Sequence, residues 1–139
     1  MEWQQTIFAD RMITNKNKVT VAIGDDHPRV RQVIKLCLDM VGYPVVLEAE
    51  NGQALIEKLD EAQLPDICML DLNMPAMDGY ETTLHLKRYW PSVKVLIYSM
   101  NQDIRSKEKA FACGADGYLV KPSTIDEIEV AIEKIVQLA

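Results

Sequence analysis

The sequence predicts an α/β fold in which a parallel sheet is covered by helices on both faces. Three observations carry that expectation. Five short apolar runs alternate with five segments of helical periodicity. The central run, Ile67 to Leu70, has no polar interruption, as suits a strand buried on both faces. Acidic, hydroxyl and basic residues follow the runs at their carboxyl ends, the edge where open parallel sheets carry their chemistry. The chain has 139 residues, enough for one such domain and too few for two.

Val19 to Ile23 is the first expected strand, followed by Asp25-Asp26-His27-Pro28. Asp26 or His27 suits the cap of the next helix, and Pro28 suits its first turn. Val30, Val33, Ile34, Cys37, Leu38 and Val41 then recur at helical spacing up to Gly42, a residue able to take the left-handed terminal conformation. Val45 to Ala49 reads as strand two. Asn51 caps a helix with Ala54, Leu55, Leu59 and Ala62 on one side, and Pro65 ends the connection. After Ile67 to Leu70 comes Asp71-Leu72-Asn73-Met74-Pro75-Ala76-Met77-Asp78-Gly79, where Pro75 and Gly79 predict a tight loop. A helix over Tyr80 to Tyr89 and a strand over Val93 to Tyr98 follow, with Ser99 at the strand end. A weaker helical pattern covers Gln102 to Ala112. Gly114 resets the chain for a strand from Asp116 or Gly117 to Val120. The last helix starts near Thr124 and carries the stripe Ile125, Ile128, Ile132 and Ile135. Thr124 with Glu127, or Ser123 with Asp126, has the spacing of a reciprocal cap.

Composition removes several function classes. No interval has the unbroken apolar length of a membrane span, and residues 1–10 lack the basic start and apolar centre of a signal peptide, so the cytoplasm is the expected location. Fifteen basic against 21 acidic side chains give a net charge of −6, which argues against direct binding of nucleic acid by this chain. Cys37, Cys68 and Cys113 are odd in number, widely spaced and set among apolar neighbours, so buried thiols are expected. Neither His27 nor His85 forms a metal pair with them.

The chemistry converges on strand ends. Asp25, Asp26 and Asp71 would repel one another if gathered without a cation, and a hard divalent ion such as Mg²⁺ suits such oxygen ligands. Helix capping alone is the plainer reading of Asp25 and Asp26, but Asp71 and Lys121 at matching strand ends disfavour it. A carboxylate beside a lysine and a metal suits phosphoryl transfer: Asp71 attacks, and Lys121 neutralises the oxygens. Ser99 is either a locally bonded strand-end hydroxyl or a donor to the phosphoryl group.

These pieces resemble the receiver domain of bacterial two-component response regulators. The resemblance rests on Asp25-Asp26, Asp71 in its Asp-Leu-Asn-Met-Pro-Ala-Met-Asp-Gly stretch, Ser99 and Tyr118-Leu119-Val120-Lys121-Pro122, and runs from about Val19 to Val136. Asp25-Asp26-His27-Pro28-Arg29-Val30-Arg31 and Ala112 to Tyr118 look most like receivers attached to helix-turn-helix transcription regulators. The resemblance implies a doubly wound, flavodoxin-like five-stranded parallel sheet flanked by five helices. It implies Asp71 as phosphoacceptor and Mg²⁺, for which Mn²⁺ substitutes, bound by Asp26, Asp71, the Asn73 carbonyl and Asp25, the last often through water. Lys121 is then the phosphoryl partner, joined to Pro122 by a commonly cis peptide, and Ser99 and Tyr118 are the switch pair. The implied partners are a histidine kinase or phosphotransfer protein and a downstream protein or missing output domain, with a homodimer as a further option.

Met100 departs from the family, where a small residue usually follows the switch hydroxyl; it either narrows access to Asp71 or packs into a neighbouring gap. Arg29, Arg31, Lys35, Lys87 and Arg88 read equally as docking charge or as ordinary solvated helix faces. Residues 1–18 lie outside the resemblance and are expected to form a flexible arm or a short docking helix bearing Trp3, Ile7, Phe8 and Met12; residues 19–139 are the expected receiver domain. No DNA-binding unit is encoded up to Ala139, which leaves a single-domain receiver or a fragment. Two other functions share the residues: a magnesium-dependent hydrolase with an aspartyl intermediate, and a receiver-like module that does not use phosphate.

Overall fold

The structure, a computed structural model, describes residues 19–137, so the expectations for residues 1–18 lie outside the described residues. Strand β1 (Val21–Gly24) leads into α1 (Pro28–Met40), β2 (Val45–Ala49) and α2 (Gly52–Lys58). A single 3₁₀ turn (Glu61–Gln63) precedes β3 (Ile67–Leu70), which is followed by α3 (Gly79–Tyr89), β4 (Lys94–Ser99), α4 (Ile104–Ala112), β5 (Gly117–Val120) and α5 (Ile125–Gln137). All neighbouring strands are parallel, in the order β2-β1-β3-β4-β5. That is the doubly wound, flavodoxin-like order.

Alternation along the central strands sorts side chains between two cores. Val21, Ile23, Ile67, Met69, Leu96 and Tyr98 meet Ile34 and Leu38 of α1 and Ile128, Ile132 and Ile135 of α5. Ala22, Cys68, Leu70, Val95 and Ile97 face the other way, against Leu55 of α2, Leu86 of α3 and Ala110 of α4. β1 and β3 therefore carry no polar side chain, and β4 is apolar from Val95 to Ile97, because both faces are buried.

Helix boundaries follow their caps. Asn51 accepts from Ala54 N at 2.8 Å, Asp78 from Glu81 N at 2.9 Å and Asp103 from Ser106 N at 2.8 Å. Of the two reciprocal caps considered, Thr124 with Glu127 forms: Thr124 N donates to Glu127 Oε1 at 3.0 Å, and Glu127 N to Thr124 Oγ1 at 3.1 Å. Gly42 takes φ 86° just past α1, as its terminal role requires.

Some expectations are corrected. β1 starts at Val21 because Thr20 bonds sideways to Asp66, its N–H donating to Oδ2 at 2.7 Å. Val33 is 58% exposed and is not part of the α1 core face. Ala62 leaves the α2 stripe because Asp60 caps a separate 3₁₀ turn there, accepting from Ala62 N at 2.9 Å. Only Cys68 is fully buried; Cys37 and Cys113 are half-buried, and all three are free thiols. Burial pushes the Cys68 thiol up to about 12, so it stays protonated and unreactive at neutral pH. Three of the cations left open between docking charge and solvated helix faces form ion pairs within the domain: Arg31 and Lys35 reach Glu48 at 3.1 and 2.7 Å, and Lys87 reaches Asp116 at 2.6 Å.

Candidate functional site

In the register of β1 and β3, Gly24 sits beside Leu70, so the residues that follow, Asp25 and Asp71, leave adjacent strands side by side. Backbone bonds continue one step past each strand: Asp71 N donates to Gly24 O at 2.9 Å, and Asp25 N to Ala49 O at 3.1 Å. On the other flank Ser99 pairs with Val120, and Lys121 N donates to Ser99 O at 2.9 Å. Four strand ends thus deliver Asp25, Asp71, Ser99 and Lys121 to one edge.

Lys121 Nζ joins the two acids, donating to Asp25 Oδ2 at 2.6 Å and Asp71 Oδ2 at 3.1 Å. The side chains of Asp25, Asp71 and Lys121 are 2%, 8% and 11% exposed, so this contact is desolvated and strong. Burial, the largest influence on Lys121, pulls its pKa down. The hydrogen bond to Asp25 and the charges of Asp71 and Asp25 together outweigh it, and the net shift is upward.

Asp26 completes the cluster differently. Its Oδ1 is buried and has no hydrogen-bond partner, although His27 Nδ1 approaches within 2.9 Å. The His27 ring also lies 3.2 Å from Asp25 Oδ1, while His27 N donates to that oxygen at 2.9 Å. Oxygen or nitrogen atoms of Asp25, Asp26, His27 and Asp71 all fall within 4.8 Å of one another. Three carboxylates gather here, two of them share one ammonium, and the third has a buried oxygen without a hydrogen bond in the same cluster. That combination fits a hard divalent cation, which takes oxygen ligands and balances the excess charge.

The loop after β3 is shaped by close backbone approach. Asn73 N donates to Asp71 Oδ1 at 3.3 Å, and Gly79 N donates to Leu72 O at 2.9 Å. Pro75 O accepts from Met77 N at 2.7 Å across Ala76, which is held at φ 64°. A Cβ on Gly79 would collide with the Asp71 carbonyl oxygen and come within 2.8 Å of the Leu72 Cα. Both obstacles are backbone, so Gly79→Ala is expected to cost about 1–3 kcal/mol in urea unfolding and to displace the Asp71 loop. A variant as stable as the parent would contradict this account of the loop.

Ser99 is fully buried, and its Oγ accepts from Asn101 N at 3.2 Å. Tyr118, half-buried, donates its hydroxyl to Asn101 O at 2.8 Å. Burial raises the Tyr118 pKa, against an opposing contribution from the Ser99 hydroxyl. The Lys121–Pro122 peptide is cis. Met100 is 73% exposed and lines a groove with Val30, Val33, Tyr98, Lys121 and Pro122; it is not packed into a gap.

The site residues singled out from the sequence lie along this edge or in its loops except Tyr118, which sits within β5 beside Ile97 and reaches the edge segment through its hydroxyl bond to Asn101 O. Sequence reasoning missed the parts played by His27 and by Arg31, whose Nη1 donates to Asp25 O at 2.6 Å. The available signal was position: His27 directly follows the acidic pair, and Arg31 occupies the next helical turn.

Comparison with known proteins agrees with this geometry. Residues 21–133 match the family described as the response regulator receiver domain. The transcriptional regulatory protein DegU of Brevibacillus brevis is 36% identical over 124 residues, covering 88% of this chain and 52% of that protein. The probable transcriptional regulatory protein NarL of Mycobacterium tuberculosis is 39% identical over 116 residues, covering 83% and 53%. The chain therefore spans about half the length of these two relatives. The solved signal receiver domain of the putative response regulator NarL from Mycobacterium tuberculosis superposes with a TM-score of 0.80 at 36% identity, covering 86% of this chain and 97% of that one. With the family matched over most of its length and the strand-end site assembled, the chain belongs to the response regulator receiver domain family.

Proposed function

We propose that residues 19–139 form a phosphoryl-controlled interaction module whose acceptor is Asp71. The observation that carries this reading is Lys121 Nζ bridging Asp25 and Asp71, with the unpartnered Asp26 oxygen in the same cluster. An Asp71 carboxylate oxygen attacks the phosphorus of a phosphohistidine on a histidine kinase or phosphotransfer protein. A P–O bond forms, the P–N bond breaks, and the electron pair of the P–N bond stays on the imidazole nitrogen. Lys121 stands ready to neutralise charge on the phosphoryl oxygens. Asp26, Asp71, the Asn73 carbonyl and Asp25 would hold Mg²⁺ or Mn²⁺, which supplies further neutralisation of those oxygens.

The switch has a physical route through Asn101. Its N–H is held by Ser99 and its carbonyl by Tyr118. A phosphoryl group that draws the Ser99 hydroxyl away frees the Asn101 N–H and loosens the segment to which Tyr118 is bonded. The new charge thereby biases the surface of α4, β5 and α5. The output is recognition by a downstream protein or by an output domain on a longer chain, in the cytoplasm and without direct nucleic-acid contact. No helix among the described residues is long and apolar enough to cross a membrane.

Intact-mass analysis after adding acetyl phosphate with Mg²⁺ tests the reading. One phosphoryl group on the native chain, dependent on Mg²⁺, is the expected result. No adduct under conditions that preserve acyl phosphates, or sustained turnover of a phosphoester, would reject it. Met100→Ala opens the groove beside Lys121, so both phosphorylation and loss are expected to accelerate several-fold; unchanged rates would remove the access role of Met100.

A further inference from the structure

We propose that Arg31 is a positioning residue for the cation site: it fixes the Asp25–Asp26 peptide and thereby aims the Asp26 carboxylate. The inference rests on the reading that Asp25 and Asp26 hold a divalent cation.

Arg31 stands in the first turns of α1, and its side chain is only 17% exposed. Its guanidinium is used in two directions. Nη1 donates to the Asp25 carbonyl oxygen at 2.6 Å, and Nε donates to Glu48 Oε1 at 3.1 Å. The other Glu48 oxygen is held by Lys35 Nζ at 2.7 Å, one helical turn further along α1. These two cations hold the Glu48 carboxyl below its ordinary range, against the opposing effect of burial.

A planar guanidinium has its donors at fixed angles, so anchoring Nε on β2 also sets the direction of Nη1. A bridge serving only to tie α1 to β2 needs Glu48 alone. The additional bond goes to the one carbonyl shared by the two acidic residues. Rotation of that peptide would swing the Asp26 side chain, whose close side-chain neighbour is the exposed His27 ring, 2.9 Å from Oδ1. Its buried Oδ1 makes no hydrogen bond. The Asp25 carboxylate, in contrast, is held independently by Lys121 and by His27 N. Arg31 therefore acts mainly on Asp26, the acid held by fewer fixed contacts than Asp25. Glu48, shared with Lys35, offsets only part of the positive charge of Arg31, so its charge and its geometry have to be separated by experiment.

Charge and geometry predict opposite signs, which makes the idea testable. Removing a nearby cation would tighten metal binding if Arg31 acted only by repulsion. Removing a positioning group would weaken it, by roughly tenfold or more for an outer-shell partner of a metal ligand. The probe is Mn²⁺, with the free ion followed by electron paramagnetic resonance on the full chain, alongside thermal unfolding of each variant. Arg31→Met is expected to weaken Mn²⁺ binding about tenfold. Arg31→Lys should recover part of the affinity, because an ammonium reaches one acceptor without the fork. Glu48→Gln should weaken binding in the same direction, and the double variant should bind no more weakly than Arg31→Met.

A merely structural role would lower the unfolding temperature and leave the Mn²⁺ affinity of folded protein unmoved. Affinity in Arg31→Met equal to or tighter than the parent overturns the proposal. Should Arg31→Met fail to fold, unchanged affinity in both Arg31→Lys and Glu48→Gln overturns it instead. A parent chain that does not bind Mn²⁺, or binds it equally with Asp26→Asn, rejects the cation reading itself and the positioning role with it.

Discussion

Replacing Lys121 with methionine is expected to destabilise the fold by about 3–5 kcal/mol at neutral pH, with Mg²⁺ recovering part of the loss. Methionine retains much of the aliphatic stem but not the ammonium that contacts Asp25 at 2.6 Å and Asp71 at 3.1 Å. Both carboxylates are almost fully buried, so the variant leaves like charges together without their shared counter-charge. The folded pKa of Lys121 is raised. Its contribution is therefore complete below the ordinary lysine range and lost only as pH rises past the elevated folded value. Across neutral pH the deficit of the variant should stay constant as far as Lys121 is concerned. A divalent cation that binds the folded state stabilises it by mass action, and the variant should depend on it more than the parent does. Urea unfolding with and without Mg²⁺ measures both effects. A variant as stable as the parent, or one indifferent to Mg²⁺, would mean that the ammonium does not hold the acids together. Phosphorylation should also slow by about 10²–10³-fold, the usual scale for removing one group that stabilises developing charge.

Asp71→Asn is expected to abolish the phosphoryl adduct while leaving the fold intact. The amide matches the carboxylate in size, and its one oxygen can keep the bond from Asn73 N at 3.3 Å, while Lys121 Nζ, which gives up its 3.1 Å bond to the second oxygen, stays paired with Asp25 at 2.6 Å. It lacks the anionic nucleophile. One charge fewer in a crowded cluster also relieves repulsion, so without metal the variant should unfold at a temperature no lower than the parent. Its Mn²⁺ affinity should fall, because one ligand has lost its charge. A variant that still takes up a phosphoryl group would place the acceptor elsewhere.

Much of the site is legible in the amino-acid sequence because strand ends in a parallel sheet share an edge. Ile67 to Leu70 reads as a buried strand from its apolar run, and Asp71 follows it directly. Spacing narrows the last cap to Thr124 with Glu127 or Ser123 with Asp126, and the first of these forms. Local polar geometry is what the sequence hides. Val33 carries the same helical period as Ile34 and Leu38, but the helix turns it to solvent. Arg31 and Lys87 look like surface charge until Glu48 and Asp116, distant in sequence, are seen opposite them. Long cationic side chains combine apolar stems with polar tips, so periodicity does not decide their burial. His27 escapes because its role depends on the chain turning at the end of β1, which brings Nδ1 back over both acids.

The most direct test of the account is to locate the phosphoryl group. The protein is treated with acetyl phosphate and Mg²⁺, the acyl phosphate is reduced with borohydride, and the modified residue is mapped in peptides. The account predicts conversion of Asp71 alone, dependent on Mg²⁺ and lost in Asp71→Asn. Label on Asp25 or Asp26 instead, or the same label without Mg²⁺, would contradict it.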